Sequence, residues 1–268
     1  MIENIDTKQL LEWYITAGVD ATLGDEPFGL AKIAAAAAPA AVPKLSAELR
    51  RNTDTLPRQA TTELAQDTKD ACFNAREICS QAQTLEDLRS AVEKFDGCAL
   101  KFTASHTILG EGCPTARIVF VGEAPGADED RIGRPFVGRS GQLLDKMLKA
   151  VGLDRSICYI TNVLPWRPPG NRTPTDAEIA VCLPFLKRQI DLINPDYLFV
   201  LGGSAANALL NQAESISRLR GRWLEYKNAS GKTIQVLASF HPAYLLRNPA
   251  QKAKLWVDLL RLIKKNTQ

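Results

Sequence analysis

The sequence predicts a three-layer α/β/α sandwich with a central four-stranded, mainly parallel sheet, preceded by an N-terminal helical extension. Two observations carry this. After Gly112, short β-rich apolar runs alternate with helical stretches, which is the pattern of repeated βαβ units. A chain of 268 residues with 45% hydrophobic and 24% charged residues also has the size and composition for one sizeable core, since domains commonly run from about 50 to 250 residues.

In chain order, residues 5–17 set Leu10, Leu11, Tyr14 and Ile15 at helical spacing, so one short amphipathic helix is expected within an N-terminal segment 1–23. Residues 24–59 turn to alanine and proline (AAAAAPAAVPKL), a linker composition that buries little. The stretch 60–95 carries helix formers without Gly or Pro and reads as two helices broken near Thr84, where Thr-Leu-Glu-Asp has the form of a helix start. The main domain is expected over 60–268, with its core at 96–265. Its strands are read at 117–121, 158–162, 197–201 and 234–239. Its helices are read at 140–151, 176–193, 204–210 and 250–265.

The net charge of +3 is slight, but Arg131, Arg134, Arg139, Arg167, Arg172, Arg218, Arg220, Arg222 and Arg247 gather in the C-terminal two-thirds, which permits a nucleic-acid partner. Six cysteines sit far apart without a CxxC pair, and the first residues do not resemble a signal peptide, so a cytoplasmic location is expected. No apolar run approaches the roughly 20 residues of a membrane span.

In parallel α/β sheets, ligands gather at the C-terminal ends of the strands. Here those ends deliver Gly122, Glu123, Ala124, Pro125 and Gly126, then Asn162, then Gly202 and Gly203, then His241. The first strand runs into GEAPGADEDRIGRPFVGRSGQLLDKML, a glycine-rich loop that enters a helix but matches neither the P-loop nor the dinucleotide fingerprint. Gly138, Ser140 and Gly141, at that helix's start, are candidates to hold a phosphate through backbone donors.

Four segments in this order, GEAPG with RPFVG, TNVLPWRPPGNRTP, LGGSAANALL and SFHPAYLLRNP, resemble the family-four uracil-DNA glycosylases over about residues 95–263. The resemblance implies a monofunctional enzyme that flips uracil out of DNA and hydrolyses its N-glycosidic bond. By this likeness Phe136 stacks on the flipped base, Asn162 pairs with its edge beside Ala124, and His241 lies against uracil O2. Glu123 orients the attacking water, with Asp128 and Asp130 as weaker candidates. The segment from His241 looks like the DNA-intercalating loop, with Leu245 or Leu246 as the wedge and Arg247, together with Arg167, near phosphate. The chemistry suits the residue types: an amide offers both donor and acceptor to a pyrimidine edge, and a preorganised donor stabilises a departing anion.

The likeness also implies a [4Fe–4S] cluster held by four cysteines, and here the sequence departs from it. The equivalent places read Cys98, Lys101, Trp166 and Cys182, and such clusters are built on cysteine thiolates. The expectation is therefore no cofactor, no cluster, and an interior filled by Trp166 and the Lys101 stem. Two other readings stay open: a glycosylase of this fold with a different preference (hypoxanthine, xanthine or thymine opposite guanine), and a non-catalytic DNA-damage binding module. Partners expected are uracil-containing DNA and a protein bound by the N-terminal helix, with the chain itself a monomer.

Overall fold

A computed structural model describes residues 58–266; the helix expected at 5–17 and nearly all of the alanine-proline linker lie outside the described residues. Residues 67–266 belong to one compact unit.

Two helices, α1 (Arg58–Gln81) and α2 (Leu85–Lys94), lead in. Thr84 caps α2 by accepting from the Asp87 N–H while Asp87 accepts from the Thr84 N–H, the reciprocal arrangement that the Thr-Leu-Glu-Asp reading anticipates. A short 3-10 turn at Ala99–Phe102 then enters the sheet domain.

The sheet has six strands rather than four. They are β1 (Gly110–Gly112), β2 (Ile118–Gly122), β3 (Tyr159–Asn162), β4 (Tyr197–Leu201), β5 (Trp223–Lys227) and β6 (Thr233–Ser239), in the spatial order β1-β3-β2-β4-β6-β5. The central four, β3-β2-β4-β6, are the strands expected from sequence, and they are parallel. The correction lies at the edges, where β1 and β5 pair antiparallel with β3 and β6. Every residue of β2 and β4 is buried, as a parallel sheet covered on both faces requires.

On one face Val119, Val121, Leu198, Val200 and Val236 pack with Leu88, Val92, Phe185 and Leu186. The alternate residues, including Phe120 and Phe199 in ring contact at 5.4 Å, fill the other. The connecting helices are α3 (Ala127–Ile132), α4 (Arg139–Ala150), α5 (Asp176–Ile193), α6 (Gly203–Leu210), α7 (Ile216–Leu219), α8 (Pro242–Arg247) and α9 (Lys252–Asn266). Among them α3, α7 and α8 are too short to leave a helical period in the sequence. No described helix is long and apolar enough to cross a membrane.

Strand order reverses between β2 and β4, because the chain leaves β2 for β3 on one side and returns to β4 on the other. In open parallel sheets the ligand crevice lies at the carboxyl ends of the strands beside such a reversal.

Candidate active site

A cavity of about 450 Å³ opens there, lined among others by Glu123, Ala124, Phe136, Ser140, Asn162, His241, Tyr244 and Arg247. Its size is that of a small-molecule site. The three side chains on which the sequence reading depends, Phe136, Asn162 and His241, thus share one chamber.

Asn162 ends β3 directly opposite Gly122 of β2. A Cβ on Gly122 would collide with both the Asn162 amide and the Phe136 ring, so only glycine lets the two approach this backbone together. The Asn162 side chain is 4% exposed, and its Oδ1 has no hydrogen-bond partner among the described residues. A buried, unpaired acceptor is costly and calls for a ligand donor. Phe136, also 4% exposed, brings its ring centroid to 5.6 Å from that of His241.

His241 follows β6 and is the N-cap of α8, with Pro242 at the first helical position. Its Nδ1 accepts from the Ala243 N–H at 3.1 Å. The neutral ring therefore carries its proton on Nε2. Burial, with a smaller contribution from Arg247, lowers the imidazole pKa to about 4, so the ring is neutral at physiological pH and serves as a hydrogen-bond donor without charge.

Behind it, the buried Asp258 of α9 accepts from Ser239 at 2.6 Å and from Arg220 at 2.8 and 2.9 Å. Arg220 also lies 5.6 Å from the Phe240 ring. This network secures the end of β6 and turns Arg220 inward.

Glu123 leaves β2 half-buried. Burial raises its carboxyl pKa, and the Ser204 hydroxyl at the start of α6 partly offsets the rise.

The matches with known proteins agree with this geometry. The model of the uracil DNA glycosylase superfamily matches residues 109–260. A type-4 uracil-DNA glycosylase of Thermotoga maritima is 42% identical over 176 residues, covering 65% of this chain and 90% of that protein. This chain belongs to family four of the superfamily. A second type-4 enzyme, from Archaeoglobus fulgidus, is 40% identical over 67% of this chain and 92% of its own length. A type-5 uracil-DNA glycosylase of Pyrobaculum aerophilum is more distant, at 31% over 62% and 79%.

The other candidate residues differ in their surroundings. Of the paired wedge candidates, Leu245 is wholly buried and Leu246 is 37% exposed. The backbone donor of Gly138 is already used. Glu129, itself buried, accepts from Gly138 at 2.8 Å, Val137 at 3.0 Å and Gly126 at 3.1 Å, which ties the two ends of the glycine-rich loop together. Gly141 serves as a spacer, since a Cβ there would strike the Phe136 backbone.

Asp130 is buried and accepts from the Ser105 and His106 backbones, while Asp128 is exposed and pairs with Arg131. Neither lines the cavity. Arg167 holds Asn171 at 2.7 Å and stands outside the lining, which takes Pro168, Asn171 and Arg172 instead. Sequence reasoning did not single out Glu129, Tyr244 and Arg172 as cavity residues, although Tyr244 lies inside the quoted HPAYLLRNP segment.

The four places implied to hold a [4Fe–4S] cluster do not fit one. The Cys182 thiol donates to Cys98 Sγ at 3.9 Å, and both residues are buried. Lys101 forms an ion pair with Asp96 at 2.6 Å. Trp166, 1% exposed, stacks on Phe95 at 6.5 Å, meets Phe185 edge-on at 6.3 Å and donates from Nε1 to Thr107 at 3.0 Å. Two thiols in mutual contact and a packed indole supply neither the ligands nor the room that four thiolates around an iron cube need.

Proposed function

We propose that this chain excises uracil from DNA as a monofunctional glycosylase, hydrolysing the N-glycosidic bond of a base flipped out of the duplex. The observation that carries the reading is the unpaired Asn162 acceptor, buried in the same chamber as an aromatic ring and a neutral imidazole donor. In this reading Phe136 stacks on the base, and Asn162 accepts from uracil N3–H while donating to O4. His241 donates from Nε2 to O2 as negative charge gathers there. Glu123, a stronger base than an ordinary carboxylate, holds the water that attacks the sugar. Leu246 fills the gap left in the stack, and Arg247, with Ser140 and Gly141 at the α4 start, meets the backbone.

The family membership and the ordered motifs favour uracil over other deaminated bases. A single-turnover assay on labelled oligonucleotides carrying uracil, hypoxanthine, xanthine or thymine opposite guanine tests this, with uracil release expected to be the fastest. Strand scission should follow only after alkali, because water rather than a lysine attacks. Absence of release from every substrate would leave the binding-module reading in its place.

Function without an iron-sulfur cluster is part of the same proposal. Protein purified without oxygen should carry no stoichiometric iron and no visible cluster absorption while remaining active. Iron at cluster stoichiometry would overturn it. A cytoplasmic monomer with a protein partner on the N-terminal segment completes the proposal, and light scattering on the same sample reads the mass.

A further inference from the structure

We infer that Arg155, which stands outside the cavity, is a positioning residue for the stacking ring; the inference rests on the reading of Phe136 as the residue that stacks on the base. Phe136 has φ 54°, a left-handed backbone that bulky residues seldom adopt. Something must hold it there. The carbonyls of Pro135 and Phe136 both accept from Arg155, at 2.8 Å from Nη1 and 2.5 Å from Nη2.

The guanidinium is itself fixed from behind. Its Nε and Nη2 donate to the two oxygens of Asp145 on α4, at 2.9 and 3.2 Å, and Nη1 also reaches Glu111 of β1 at 3.3 Å. These five bonds use all five donors of the fork. Glu111 in turn grips Arg134, two residues before Phe136, through both carboxylate oxygens. The Gly141 backbone also abuts the Phe136 carbonyl, closely enough that a Cβ there would strike it. The stacking ring is therefore aimed by a planar fork clamped between a strand and a helix, and a lysine, with a single point of charge, cannot reproduce that grip.

The test compares Arg155→Lys, Asp145→Asn and Phe136→Ala, singly and as the Arg155→Lys/Phe136→Ala pair. It measures kcat/KM on uracil DNA, inhibition by free uracil, and affinity for abasic-site DNA. Arg155→Lys should lower kcat/KM about tenfold and weaken uracil inhibition by a similar factor, inside the roughly 5- to 150-fold span that loss of a base–aromatic stack produces. Abasic-site affinity should not change, which a general loss of structure would not spare. Added to Phe136→Ala, Arg155→Lys should cost nothing more.

Additive losses, or an unchanged uracil inhibition constant in Arg155→Lys while Phe136→Ala raises it, would overturn the inference and leave the stacking role standing. Should Phe136→Ala itself leave uracil inhibition unchanged, the stacking role fails and the inference falls with it. Where Arg155→Lys does not fold, Asp145→Asn decides: weaker uracil inhibition supports the clamp, and an unchanged value overturns it.

Discussion

His241→Ala is expected to lower single-turnover uracil excision by about 10²- to 10³-fold, the range that follows removal of one preorganised donor from an anion-stabilising site. Affinity for abasic-site DNA should be unaffected, because that ligand lacks the base whose charge the imidazole meets. The Ala243 N–H fixes Nδ1 as an acceptor and so directs the proton to Nε2, while burial keeps the ring neutral. A donor held in place beforehand spends no reorganisation as the bond breaks. Full single-turnover activity in the alanine variant would remove the leaving-group role.

The same ring separates two acid titrations. With a folded pKa of about 4, His241 stays neutral through the range in which an ordinary histidine, at 6.5, takes up a proton. The unfolded chain binds that proton first, so the stability contributed by the neutral buried ring is full above 6.5 and drains as pH falls toward 4. With Glu123 in its proposed role, the acid limb of activity is expected to follow that carboxyl, which burial raises above its ordinary 4.5. Activity therefore declines on acidification while His241 remains a competent donor.

The four central strands were legible because a parallel strand covered on both faces is an unbroken apolar run, as IVFVG and YLFVL are. The edge strands were not. Gly110-Glu111-Gly112 has no apolar pattern, and Trp223–Lys227 is only half-buried; the first becomes a strand by antiparallel pairing with β3, far along the chain, and the second by forming a hairpin with β6. The convergence of Glu123, Asn162 and His241 followed from their common location at strand ends. What completes the site depends on side-chain bonds that no spacing encodes: Glu129 reaching Gly138, and Arg155 reaching the Phe136 carbonyl. Leu245 and Leu246 are adjacent and chemically alike, and only the rotation of a six-residue helix decides which one is buried.

Asn162→Asp should collapse the discrimination between uracil and cytosine. A site built to hydrogen-bond its substrate rejects an analogue that leaves its polar groups unpaired by about 10⁴- to 10⁵-fold, and the amide supplies that rejection by offering a donor where cytosine carries its exocyclic amine. An ionised carboxylate in place of the amide would accept only, satisfying the cytosine amine and opposing uracil O4. Protonated, as burial at 4% exposure favours, it would pair with either base. In both states the preference narrows, and uracil release falls on the order of tenfold to a hundredfold from the weakened O4 contact. The geometry leaves little room for compensation, because the Asn162 amide and the Phe136 ring both crowd against Gly122. Excision rates on matched uracil and cytosine oligonucleotides measure the ratio directly, and a variant keeping the parental rate on uracil with no release of cytosine would show that base identity is read elsewhere in the chamber.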